Sequence, residues 1–494
     1  MQRLVLAVAL SVATSVALIP SNGHALVDMK NANYSESWLD LSLPGSGYQL
    51  KVSRHYNSRS IFSGMFGFGW CSDFETAVEK TPEGRLKLAE CGAGQEMIYF
   101  PAKYDDKALD KTVEDIVAFY KKTNPGATTQ AADALREQVR IFGDTRNDWA
   151  RKAGLKIPDV QKGVVYKADG LEVEKIVFDG SVYNRTLADG TSQRFNSAGK
   201  LIMLNDKNGN NLKLTYNGDL LKEVVDNNGR KLSFSFTPSK RVKEISGPNS
   251  MKSEYKYNGE DLIENKNAWK NKYTYAYDDL HNLTKVNFPD NTFKALTYNQ
   301  KQDWVVSFAD RAVNGPACKE TYNYEVDKAD PQNHFWSTAL KKCGNEVKND
   351  ARFEFWHKTG KDGGKYLARV LTKTLTNVLD ITYHPDFGKP TSIKKDSVLT
   401  TYDYYANGLI KEKTVNNMRL VFEYKNDFNK VSKVATDFFD AKGKVIRKRE
   451  TSFLYDTKAN LVNAQNSDGQ SVKLTYDARG RIATILDQAK KEVV

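Results

Sequence analysis

Six histidines, four cysteines, a paired aspartate and seven tryptophans are the residues here with chemistry to offer. Their spacing argues for little of it. His24, His55, His281, His334, His357 and His384 share no helix face and no ligand spacing, so no metal site is expected. No HExxH, GxSxG or glycine-rich phosphate loop occurs. Asp105-Asp106 precedes a helical pattern and suits a helix N-terminus better than acid–base work. Gly67 and Gly69 alternate with Phe66, Phe68 and Trp70, which reads as a strand against which large rings pack. The expectation is a non-enzymatic protein without a cofactor.

Binding and cross-linking residues remain. Trp304, Trp336 and Trp356 stand off or beside the regular aromatic spacing described next, and are the candidate sugar-stacking rings. Lys444, Arg447, Lys448 and Arg449 form a basic cluster that could meet an anionic polymer, with a solvated strand face as the plainer reading. Four cysteines allow three connectivities. The local one, Cys71 with Cys91 and Cys318 with Cys343, closes loops worth roughly 3 kcal/mol each in the chain-entropy model. No pair has CxxC spacing, so neither zinc nor thiol redox chemistry is supported.

The elements that must hold these residues are announced by a repeat. Phe195, Tyr216, Phe236, Tyr257, Tyr277 and Tyr298 recur at spacings of 21, 20, 21, 20 and 21 residues, each followed by a polar turn. Tyr405, Tyr424, Tyr455 and Tyr476 resume the pattern, stretched from 424 to 455 around Phe439-Asp-Ala-Lys-Gly443. Leu212-Lys-Leu-Thr-Tyr216 alternates apolar and polar residues as a half-buried strand does, and Asn217-Gly218 then turns the chain. Each unit is therefore an antiparallel hairpin that cannot bury its apolar face alone, whereas a run of them makes a continuous sheet. The aromatics should form an inward ladder of rungs.

Two segments break the rhythm. Between 101 and 160, Leu109, Val113, Ile116, Val117 and Tyr120 fall at helical spacing, Leu135, Val139 and Phe142 mark a second helix, and Asp144 caps a third. Residues 311–375, which hold Cys318 and Cys343, lose the phase and read as an elaborated loop. The layout expected is a signal peptide over 1–25, a β lead-in over 26–100, a helical insert over 101–160, repeat block one over 161–310, that loop, and block two over 376–494.

Arg3, the uncharged run Leu4 to Ile19 and Gly23-His-Ala25 compose the signal peptide, cut after Ala25, so export to the periplasm, cell surface or medium is expected. The apolar run is shorter than the roughly 20 residues a spanning helix needs, and no later stretch is apolar enough to span. The formal charge of +12 suits anionic envelope polymers or lysines that solvate strand faces; no nucleic acid is expected.

Tyr476-Asp-Ala-Arg-Gly-Arg-Ile482 resembles the unit that names the YD/RHS-repeat family. Arg54-His-Tyr-Asn-Ser58 with Phe66-Gly-Phe-Gly-Trp70 is similar to that family's opening segment, and the likeness spans about 30–100 and 165–494. The resemblance implies a mainly β fold: tandem hairpins in a spiralling sheet or partial hollow shell, here with a small helical insert. It also implies a scaffold, either adhesive and glycan-binding at the cell envelope or a shell that encloses a separately encoded toxin or other protein cargo. The family's self-cleaving core has no counterpart here, since the one Asp-Pro, Asp330-Pro331, lies in the cysteine segment. The sequence stops at Val494 just as a further strand begins, which reads either as a truncated chain or as an open edge that a partner strand could complete.

Overall fold

The computed structural model describes residues 26–493 apart from 46, 92–94, 169, 170, 172, 312–316, 361–364, 425–427 and 488–491. The expected signal peptide lies outside these described residues. Two compact units form, one from 26–72 with 206–494 and one from 73–205. The compact units thus divide at 72/73 and 205/206.

In the larger unit every strand from Asn211–Asn217 to Ile482–Asp487 pairs antiparallel with its successor in sequence. The register slips immediately before most rung aromatics, at Thr215/Tyr216, Ser235/Phe236, Lys256/Tyr257, Ala276/Tyr277, Thr297/Tyr298, Leu454/Tyr455 and Thr475/Tyr476, whereas Tyr424 follows the end of its strand with no slip before it. Such a bulge strengthens the local twist and re-aims the side chain. The aspartate one residue on holds the turn. Asp477 accepts the backbone N–H groups of Arg479 and Arg481 at 2.9 Å, and its other oxygen takes Arg481 Nε at 2.6 Å. Gly480 sits at φ +77°, a region that favours glycine. Asp226 repeats the arrangement with Asn228, Arg230 and Gly229. Those contacts are the physical content of Tyr-Asp-x-x-Gly-Arg. The tyrosine hydroxyl then ties each unit to the one before: Tyr277 donates to Leu262 O at 2.9 Å, Tyr298 to Leu283 O at 2.9 Å and Tyr476 to Leu461 O at 2.8 Å.

Two expectations are corrected here. Residues 311–375 are not a loop: Cys318–Val326, His334–Cys343, Glu346–Thr359 and Lys365–Lys373 are strands that continue the ladder. They are longer than the repeat strands, which stretches the aromatic spacing and hides the phase. Tyr405 is not a rung: the slip falls at Asp403/Tyr404, Tyr404 pairs with Ile410, and Tyr405 occupies the aspartate's place. Two adjacent tyrosines made the motif readable one residue late.

The smaller unit is a ring of short strands. Ala77–Lys80, Leu86–Glu90 and Gln95–Pro101 pair in order, then Val165–Lys167 through Leu201–Asn205 continue the series. A bridge from Ala77 to Lys200 and the bond from Val78 N to Gly199 O close it. Gly199 lies at φ +81°, and a Cβ there would collide with the Val78 carbonyl.

Three helices, α1 (Lys107–Thr123), α2 (Thr129–Ile141) and α3 (Gly143–Lys152), share a core of Val113, Ile116, Leu135, Val139 and Ala150. Buried Arg146 fixes them to the ring through Glu83 at 2.8 Å. Asp144 does not cap α3. The cap position is Phe142, and Asp144 instead accepts from Lys87 Nζ at 2.5 Å.

Candidate functional site

The most heavily built region of the chain is the seat that the repeat strands make for the N-terminal sheet. Strands β1 (Leu26–Asp28), β2 (Asn33–Leu43) and β3 (Leu50–Asn57) pair in order. Phe234, Tyr255, Tyr275 and Leu296, each two residues before a rung aromatic, are buried beneath them. Alternation puts Phe236, Tyr257, Tyr277 and Tyr298 on the same face but nearer the rim, where they are half-buried. The rungs therefore face inward, while the deepest rings precede them.

At the centre lies a fully buried ion pair. Arg54 forks onto Asp40, with Nη2 at 3.0 Å from Oδ1 and Nε on Oδ2. The same guanidinium reaches Tyr275 Oη at 3.1 Å and lies 4.6 Å from the Trp70 ring centre. Tyr255 donates to Asp40 at 2.8 Å. Burial raises the Tyr275 hydroxyl to about 12, which keeps it a neutral donor and acceptor here. Around this pair, Trp70 Nε1 donates to Tyr277 at 2.8 Å and Tyr56 Oη accepts from Leu283 N at 2.8 Å. Glu36, its carboxyl raised by burial against the pull of Lys294, ion-pairs with that lysine and accepts from Tyr34 at 2.6 Å.

The opening motif finds its physical meaning here. Phe68 N donates to Glu260 O at 3.0 Å, and a Cβ on Gly67 would strike that carbonyl. Beside Lys294 a cavity of about 380 Å³ is lined by Met29, Tyr34, Phe308, Glu320, Tyr322 and Lys341, among others. Asp40 and Glu36 carried no sequence signal, because the strip residues that hold them, Tyr255 and Lys294, are more than 200 residues away.

The other candidates are placed as follows. Trp356 is sandwiched in register between His334 at 4.7 Å and Arg369 at 4.7 Å. Trp336 carries Arg352 at 4.4 Å, and Trp304 meets Tyr324 edge-on at 5.3 Å. The rings of Trp336 and Trp356 thus already stack on side chains of the chain itself. Lys444, Arg447, Lys448 and Arg449 are not brought into one patch. Arg447 and Arg449 lie on one face and share Asp468 at 3.1 Å, Lys448 points to Asp437 on the other face, and Lys444 belongs to the Asp440 turn.

Cys318 and Cys343 are register partners joined by a disulfide, and no cysteine among the described residues is free. Among the described residues no group of three His, Cys, Asp or Glu side chains could hold a metal ion, and no helix is long and apolar enough to cross a membrane.

Comparison with known proteins places this architecture. The profile of a domain of unknown function (DUF6531) matches residues 25–97, and that of the teneurin YD-shell matches 152–330 and 372–493. The tRNA nuclease WapA of Bacillus subtilis (strain 168) is 24% identical over 271 residues, which cover 53% of this chain and 11% of that protein. The tRNA3(Ser)-specific nuclease WapA of Bacillus spizizenii is 24% identical over 270 residues, with the same coverage. Among solved structures, the Photorhabdus luminescens Tc holotoxin pore aligns with 94% of this chain and 26% of its own at 10% identity and a TM-score of 0.33. The TcdB2–TccC3 complex lacking its hypervariable C-terminal region aligns with 99% and 28% at 10% identity and a TM-score of 0.33. The chain spans about a tenth of the curated relatives and about a quarter of these structures. With more than half its length matched, this chain belongs to the teneurin YD-shell family.

Proposed function

We propose that the chain is an exported, non-enzymatic scaffold whose repeat strip walls off a protein partner. The observation that carries the reading is that the strip meets itself. Asn208 accepts from Asn460 Nδ2 at 3.0 Å, Lys207 Nζ reaches Ala459 O at 3.0 Å, and Asn210 Nδ2 reaches Arg479 O at 2.8 Å. Turns some 250 residues apart are thus stitched edge to edge, as a coiled wall requires. The Cys318–Cys343 disulfide supports an oxidising destination, and we take Cys71 with Cys91 as the second pair.

Adhesion to an envelope glycan is the rival role, and the stacked states of Trp336 and Trp356 weigh against it. Cell fractionation with N-terminal sequencing, joined to a glycan array, tests the choice. The scaffold reading expects mature chain beginning at Leu26 in the envelope or medium, with no specific glycan retained. Retention of one glycan, lost on Trp304→Ala or Trp336→Ala, would establish the adhesin instead. Cytoplasmic protein with residues 1–25 intact would overturn both.

A further inference from the structure

The second repeat block presents the same sheet face as the first, packed on itself around Phe422, Val434 and Phe453 but partly exposed over its first strands. Tyr383 and Tyr404 are its first two bulge-marked rungs, so Ile381 and Tyr402 hold the positions that Phe234, Tyr255, Tyr275 and Leu296 hold in the first block, as buried Phe453 does before the later rung Tyr455. In the first block the N-terminal sheet buries those residues, whereas Ile381 and Tyr402 remain partly exposed, as do Leu420 and Phe438 on the same face.

Charge divides the two faces of this block. The strands from Val378–Tyr383 to Val445–Tyr455 carry six carboxylates, Asp380, Asp403, Glu412, Glu423, Asp437 and Glu450. By register all six lie on the opposite face, where Arg369, Lys411, Arg419 and Lys433 pair with four of them. The rung face carries Lys395, Lys413, Arg447 and Arg449 and no strand carboxylate, since Lys413 pairs with Tyr402 and Leu420, and Arg447 with Phe438. Asp468 of a neighbouring turn satisfies the two arginines, while among the described residues Lys413 meets only the Tyr402 ring, at 5.7 Å.

The first block shows what such a face accepts. Its occupant is polypeptide, it packs Trp38 and Trp70 against Tyr275 with Tyr56 against Trp70, and it offers the carboxylate of Glu36 to Lys294 of the strip. We propose that the rung face of the second block is the seat of an acidic polypeptide segment bearing aromatic side chains, supplied by the walled-off partner. The proposal rests on the scaffold reading and names the chemistry of its partner. Complementary charge of this kind sets partner choice and encounter rate more than raw affinity.

The test titrates the full chain with a fluorescent random Glu–Tyr copolymer, with a Lys–Tyr copolymer and dextran sulfate in parallel. Lys395 and its neighbour Lys394 lie on one strand and point to opposite faces, which supplies an opposite-face control. Lys395→Glu with Lys413→Glu should weaken Glu–Tyr binding about tenfold or more at low salt, and Lys394→Glu should leave it unchanged. Far-ultraviolet circular dichroism confirms that both variants fold. Unchanged binding in the double variant, equal loss in Lys394→Glu, or equal binding of the Lys–Tyr copolymer overturns the proposal. Tighter binding of dextran sulfate overturns it too, because the face would then be a polyanion surface. None of these outcomes alters the fractionation and glycan results, so failure here is separable from failure of the scaffold reading.

Discussion

Arg54 and Asp40 sit where no water reaches, and among the described residues each is the other's only counter-ion. Removing one partner of such a pair strands the other charge, at a cost of about 3–5 kcal/mol. Arg54→Ala should therefore lower the urea midpoint of the larger unit sharply. Arg54→Lys should recover little, since an ammonium cannot fork onto the carboxylate while reaching Tyr275. Replacing both members with Arg54→Met and Asp40→Leu should hurt less than either single loss. A double variant as unstable as Arg54→Ala would show that the pair is not the point of attachment. Half of this keystone was legible, because Arg54 opens a recognisable motif. Asp40 was not, since nothing local marks a carboxylate whose partners Arg54 and Tyr255 lie 14 and 215 residues along the chain.

At the scale of the hairpin, two tyrosines on one strand do different work. Tyr275 fills the buried position, so Tyr275→Ala should cost roughly 3–5 kcal/mol, as truncation of a buried ring does. Tyr277→Phe deletes the hydroxyl that donates to Leu262 O and accepts from Trp70 Nε1, and should cost about 1–3 kcal/mol. Hydrogen exchange should place both effects in residues 252–299 and leave 461–487 little changed, since each repeat leans on its neighbours. Uniform loss of protection along the strip would contradict that local picture.

The turns add a pH signature. Backbone N–H bonds from Arg481 and the Arg481 side chain hold the Asp477 carboxyl below its ordinary value, and Asp456 is likewise depressed by its turn despite burial. A depressed carboxyl stabilises the fold above its unfolded pKa, and that stability is lost as pH falls through the folded value. Exchange across 476–482 should therefore accelerate between about pH 5 and pH 2, and Asp477→Asn should flatten the profile. An unchanged profile in that variant would assign the acid sensitivity elsewhere. This layer was the most legible in the sequence, because ring, aspartate, glycine and arginine act within seven residues. It failed where strands lengthen, over 318–373, and where Tyr404-Tyr405 offered two candidates for one rung.

For the whole chain the decisive contacts are those between turns far apart in sequence. A strip made only of neighbour pairings has no reason to meet itself, and closing a loop of about 250 residues costs entropy that grows as the logarithm of its length. The stitches at Asn208–Asn460 and Asn210–Arg479 must then be made by a strip whose bulges already curve it to the right radius. No residue pattern announces this, because the asparagines that stitch are the same that any Asx turn employs, such as Asn460 capped by Asp456. If curvature is set by the bulges, Asn208→Ala with Asn460→Ala should open only the seam. Hydrogen exchange should rise at 206–210, 456–460 and 477–481, with the radius of gyration from small-angle scattering nearly unchanged. Asn217→Ala, at a turn away from the seam, should do neither. If the double variant instead swells the molecule, the coil is held by its stitches and not by the twist of its strands. The wall would then be a clasp that a partner could open.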